Sequence, residues 1–157
     1  MRFIMIDRIT QLESGTRAHA IKAVTTTEDF FTDHFPGNPV MPSALVVEAM
    51  AQTAEALLAA SSDFSKCALL SAVDTARFRA LVRPGDLLEI SVDIASQDPH
   101  NAEVRARARV AGTVVAIAIL HFALVPADCV INPDHLESWR RQLTAHVQGS
   151  EALLAVH

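Results

Sequence analysis

The chain has 157 residues, enough for one domain with a sizeable core. Half of them are hydrophobic and 20% are charged, which excludes a disordered polymer, and a formal charge of −5 argues against a general nucleic-acid binder. No run approaches the ~18 unbroken apolar residues of a membrane span.

The apolar start, Met1 to Ile9, is interrupted by Asp7 and Arg8 and lacks the uninterrupted core and cleavage site of a signal peptide. A soluble, cytoplasmic protein is expected. Cys67 and Cys129 lie far apart with no metal-like spacing. Both are expected to be reduced, buried and small-apolar in character, which suits a reducing cytoplasm.

Residues 1–12 read as a short apolar entry segment, followed by the turn signal Glu13-Ser14-Gly15-Thr16. Loose alternation from Arg17 to Thr27 predicts a first strand, with His19 on its surface. Residues 28–33 suit a single helical turn. A loop stiffened by Pro36, Pro39 and Pro42 then carries His34 into a helix from about Pro42 to Ala60. The strongly polar side chains in that helix are Ser43, Glu48, Gln52, Thr53 and Glu55, so other elements should enclose it. Ser61-Ser62-Asp63 ends it.

The segments 67–81, 87–96, 102–110 and 114–125 read as four β-strands separated by short turns, which implies an antiparallel meander. Glu103, Arg105, Arg107 and Arg109 alternate with Val104, Ala106, Ala108 and Val110, giving that strand one charged and one apolar face. The last strand is apolar on both faces and should be covered on both. Past Pro126, Asn132-Pro133 opens an amphipathic helix reaching about Val147, with Trp139 as the chain's only tryptophan. The expected architecture is α+β, about five antiparallel strands curved around one helix. It divides into a main domain over residues 1–126 and a helical C-terminal extension over 127–157. Such a sheet leaves an edge strand open, and pairing it with a second copy makes a homodimer.

Charged side chains are rarely buried unless paired or functional, which singles out Glu48 inside its apolar helix. His34 is a base near neutrality, and an acid in apolar surroundings keeps its proton. A base and an acid flanking one pocket suit proton abstraction with loss or addition of water. If Pro42 opens the helix, the amides of Ser43, Ala44 and Leu45 lack intrahelical acceptors and point out of the positive end of the dipole. An acyl carbonyl placed there would be polarised. Each residue also has a structural reading, a loop histidine and a satisfied acid, and spacing alone does not choose between them.

His34-Phe-Pro-Gly-x-Pro-x-x-Pro followed by Glu48-Ala-Met-Ala-Gln52 resembles the signature of the FabZ/FabA-type β-hydroxyacyl-acyl carrier protein dehydratases. Ile6-Asp7-Arg8, Ala76-Arg77-Phe78-Arg79 and Val82-x-Pro84-Gly85-Asp86-x-Leu88 extend the likeness, closer to the FabZ branch, from about Phe3 to Val125. The resemblance implies a hotdog fold, a sheet wrapped around a central helix. It implies that His34 removes the α-proton of a (3R)-3-hydroxyacyl thioester, that Glu48 protonates the departing hydroxyl, and that the two come from opposite subunits. It further implies Ser43 N–H on the thioester carbonyl, Gly37 and Gln52 beside the substrate, and a trans-2-enoyl product. Acyl carrier protein is the implied partner, in a homodimer or trimer of dimers, with no cofactor or metal and no nucleic-acid or membrane partner.

The sequence departs from the family at Ser43, where glycine is usual, in the long tail past Pro126, and in having no tyrosine. An acidic carrier needs a basic patch, for which Arg77, Arg79 and Arg83 or the stripe Arg105, Arg107 and Arg109 are candidates, against the plainer reading of a solvated strand face. Two rival functions stay open, a hotdog thioesterase using Glu48 and a non-catalytic carrier-binding subunit blunted at Ser43.

Overall fold

The long apolar stretch forms helix α1, Ser43–Ser61. Pro42 stands just before it as the cap residue, because its ψ of 132° is extended, so the helix opens one residue later than the sequence suggests. Every turn of α1 buries alanine or a larger apolar side chain, including Val46, Met50, Leu57 and Leu58. The many alanines let a sheet approach closely. In the computed structural model, which describes residues 4–145, that sheet has six strands.

The strands are β1 (Arg8–Glu13), β2 (Arg17–Ala23), β3 (Lys66–Phe78), β4 (Leu87–Gln97), β5 (Asn101–Val110) and β6 (Thr113–Pro126). They pair antiparallel in the order β1-β2-β4-β5-β6-β3. The apolar face of this sheet, including Ile90, Val104, Leu120 and Phe122, closes on α1 as one core. A helix C-terminal to the sheet, α2, covers Pro133–Ala145.

Three expectations are corrected. The entry segment contains a strand, β1, whose alternation is broken by an irregularity in the ladder between Ile9 and Gln11. The first predicted strand stops at Ala23, four residues early. Only β4, β5 and β6 form a meander, since β3 pairs with β6 on the far edge and the chain then crosses to β4. The turn at Gly85 serves that crossover. It joins the end of β2, with Val24 N–H donating to Asp86 O at 2.9 Å and Gly85 N–H to Val24 O at 2.8 Å.

β6 alternates buried and half-buried positions, so α1 covers one face and the other is only partly covered. β3 is an edge strand with exposed apolar side chains, Leu69 at 43%, Val73 at 42% and Phe78 at 45%. The tail does not stand apart. Trp139 packs edge-on against Phe64 with ring centroids 6.1 Å apart, and Arg140 Nη2 donates to Phe64 O at 3.4 Å.

Candidate active site

The residues leading to His34 are fixed from both sides. Lys22, 3% exposed, ion-pairs with Glu28 at 2.6 Å, and the turn Asp29–Phe31 buries Phe31. His34 N–H donates to Phe30 O at 3.0 Å, and Val40 N–H donates to His34 O at 2.9 Å. The imidazole is half-buried and stacks on Phe35 with centroids 4.0 Å apart. Its Nδ1 lies 2.8 Å from Val40 O. A carbonyl can only accept, so Nδ1 carries a proton, and in the neutral ring Nε2 is then the nitrogen with the lone pair. Gly37, exposed at φ +76°, makes the turn that Asn38 N–H closes on Phe35 O at 3.0 Å. Arg83 Nη1 donates to Asn38 Oδ1 at 2.6 Å, and Met41 N–H to Val82 O at 2.8 Å, tying the loop to the crossover.

Glu48, Gln52 and Glu55 fall on one face of α1 because their spacings are close to whole turns. Gln52 Nε2 donates to Glu48 Oε1 at 2.8 Å, and Met5 N–H donates to Gln52 Oε1 at 2.8 Å. The backbone amide therefore sets which way Gln52 faces and, through it, the position of the Glu48 carboxyl. With Oε1 accepting, Oε2 is the oxygen left to carry or deliver a proton.

Leu45 N–H turns back to Pro42 O at 2.9 Å, so it is committed, contrary to the expectation of three forward-pointing amides. The amides of Ser43 and Ala44 remain as the first two of the helix. Ser43 adopts ordinary right-handed helical geometry, so serine in place of glycine leaves the amide where it was.

A cavity of about 370 Å³ runs along the Glu48 face of α1, walled by β3 and by Trp139 and Gln142 of α2. Glu48, Gln52 and Glu55 line it, and His34 and Ser43 do not. Ser43 lies instead beside a small hollow with Phe78, Leu81 and Val82. The cavity that Glu48 lines and the hollow beside Ser43 are thus distinct, and His34 lines neither. Sequence reasoning gave Glu55 no role, although its seven-residue spacing from Glu48 would have placed it on the same wall. Burial, and then the charge of Glu48, push its carboxyl up to about 7. Cys67, buried beside it, has its thiol raised by burial first and by Glu55 second. Cys129 is exposed, contrary to the expectation that both cysteines are buried, because it ends the short turn Ala127–Cys129 after β6. Among the described residues no three His, Cys, Asp or Glu side chains gather as metal ligands.

The FabA-like domain model matches residues 1–118. The chain is 42% identical over 123 residues to the 3-hydroxyacyl-acyl-carrier-protein dehydratase FabZ of Caldicellulosiruptor saccharolyticus, covering 78% of this chain and 88% of that protein. Against the FabZ of Desulforamulus reducens the identity is 45%, covering 78% and 87%. Among solved structures, a hot-dog-like protein from Thermanaerovibrio acidaminovorans superposes with a TM-score of 0.62 at 18% identity, covering 83% of this chain and 93% of that one. The dehydratase heterocomplex ApeI:P from Xenorhabdus doucetiae gives 0.59 at 18% identity, covering 72% and 92%. These two establish the fold as the hotdog. The sequence matches go further: the chain belongs to the FabA-like family, on its FabZ branch.

Proposed function

We propose that this protein dehydrates a (3R)-3-hydroxyacyl chain on acyl carrier protein to the trans-2-enoyl form, in fatty-acid or related lipid or polyketide biosynthesis. The observation that carries the reading is the His34 Nδ1–Val40 O hydrogen bond, which leaves Nε2 as a base, while Gln52 holds the Glu48 carboxyl on a separate face. Nε2 takes the α-proton, and the C–H electron pair forms the Cα=Cβ bond. The C3–O bond breaks, and the hydroxyl departs as water with the proton from Glu48 Oε2. The proton on His34 then returns to Glu48 through solvent to reset the site. The amide of Ser43 takes up the charge that grows on the thioester oxygen, an interaction worth on the order of 2.7–4 kcal/mol in comparable sites. Gly37 shapes the substrate-side turn of the His34 loop, and Gln52 orients the acid.

The base and the acid meet across a homodimer. Supporting this, His34 lines no part of the Glu48 cavity, and the apolar edge strand β3 forms one wall of that cavity and is open to pairing. The acidic carrier docks at Arg77, Arg79 and Arg83, all exposed, the last bonded to the His34 loop. The alternative stripe is offset by acids, since Arg105 faces Asp93 and Arg109 faces Glu89 across the β4–β5 ladder. The free cysteines suit a cytoplasmic setting.

The test mixes His34→Ala with Glu48→Gln protein, each inactive alone, after unfolding and refolding them together. Random pairing gives half heterodimers with one intact site in two, so about a quarter of wild-type enoyl formation returns. A mixture as inactive as its components would refute the shared site. Release of free thiol instead of enoyl product would refute the dehydratase reading.

A further inference from the structure

The Glu55 carboxyl accepts no hydrogen bond among the described residues, yet it opens into the cavity that Glu48 lines. A polar group half-enclosed by apolar walls without a partner is costly unless something brings one. Apolar side chains, Ile6 and Leu69 among them, make up most of the cavity's lining. Trp139 and Gln142 of α2 also wall the cavity, so that helix contributes directly to its shape. Seven residues of helix put Glu55 about 10 Å beyond Glu48, roughly the length of an eight-carbon chain.

Resting on the dehydratase reading, we propose that Glu55 and α2 select the acyl tail: the chain runs from Glu48 along α1, and a hydrogen-bond donor near its distal end, a hydroxyl or an amine, meets Glu55. A plain alkyl tail of that length would strip Glu55 of water and give nothing in return, and a short one would never reach it. Among the described residues, the other titratable groups lining the cavity with Glu55 are Glu48 on α1 and Cys67 on β3, while the α2 residues there, Trp139 and Gln142, are uncharged. The raised proton affinity of Glu55 is what a half-enclosed carboxyl beside a second acid should show.

Trp139 is the only tryptophan and stands in this wall, so its emission reports occupancy without any turnover. The full chain is titrated with pantetheine thioesters of 3-hydroxyundecanoate and of its ω-hydroxy counterpart, for wild type, Glu55→Gln and Glu55→Leu. Wild type should bind the ω-hydroxy chain about tenfold more tightly, the scale of one hydrogen bond to a charged or strongly polar group. Glu55→Gln keeps a preference, and Glu55→Leu loses or inverts it. Equal binding of both chains by wild type, or an unchanged ratio in both variants, overturns the proposal. Enoyl formation from the 3-hydroxybutyryl thioester is followed separately. If it is absent while the tail preference depends on Glu55, the dehydratase reading fails and the tail site stands. If it is present and Glu55 is indifferent, the reverse holds.

Discussion

Replacing Glu55 with glutamine should change how stability responds to pH. In the fold this carboxyl titrates at about 7, against an ordinary 4.5, because burial and then Glu48 disfavour its charged form. The folded state therefore keeps a proton that the unfolded chain gives up, and stability falls as pH rises through that interval. The contribution is fully present below about 4.5 and lost by about 7. At about 1.36 kcal/mol per pH unit the whole interval costs about 3 kcal/mol, of which about 2 kcal/mol falls above pH 5.5. Glutamine has no proton to lose. The stability of Glu55→Gln relative to wild type should thus grow by about 2 kcal/mol between pH 5.5 and 8.5, or about 4–8 °C in Tm for a domain of this size. Urea unfolding at the two pH values, followed by the emission of Trp139, measures it directly. Parallel pH curves for the two proteins would refute the account of a half-enclosed carboxyl held in its protonated form.

Gln52→Leu removes both the donor to Glu48 Oε1 and the acceptor for Met5 N–H, so it should cost about 1–3 kcal/mol of stability. It should also lower kcat more than it raises KM, because the acid loses its orientation, and a variant with unchanged kcat would argue against that role. Arg79→Glu should raise KM for a carrier-protein substrate by about tenfold and leave KM for the matching pantetheine thioester unmoved. Equal effects on both substrates would place the docking surface elsewhere.

How much of this was legible in the sequence depends on how local each feature is. α1 and the His34 loop are written in consecutive residues, as a proline-spaced loop followed by an apolar run, and both were readable. The β4–β5–β6 meander was readable for the same reason, since each turn lies between the strands it joins. The placement of β3 was not, because nothing in residues 66–78 states that their partner is β6, with Lys66 paired to Pro126 and Phe78 to Ala116, and not the next strand. β1 was hidden by the ladder irregularity after Ile9, which breaks the alternation a strand is recognised by. Pro42 misled by one residue because proline fixes φ but leaves ψ free, and its ψ here is extended. Of the proposed site residues, His34 and Glu48 stand out in the sequence by their chemistry. The Val40 carbonyl that sets the tautomer and the Met5 amide that holds Gln52 do not, because backbone groups carry no sequence signature. Glu55 was visible but unweighed, since its meaning depends on a cavity that β3 and α2 build around it.

The contact from Met5 to Gln52 joins the beginning of the chain to the middle of α1, 47 positions away. A nascent chain emits Met5 long before Gln52 exists, so the acid cannot be aligned until α1 has formed and docked. The same link makes the start of the protein an input to its chemistry. A shift of the backbone at Met5 would reach Glu48 through Gln52 without touching a residue of the recognisable motif.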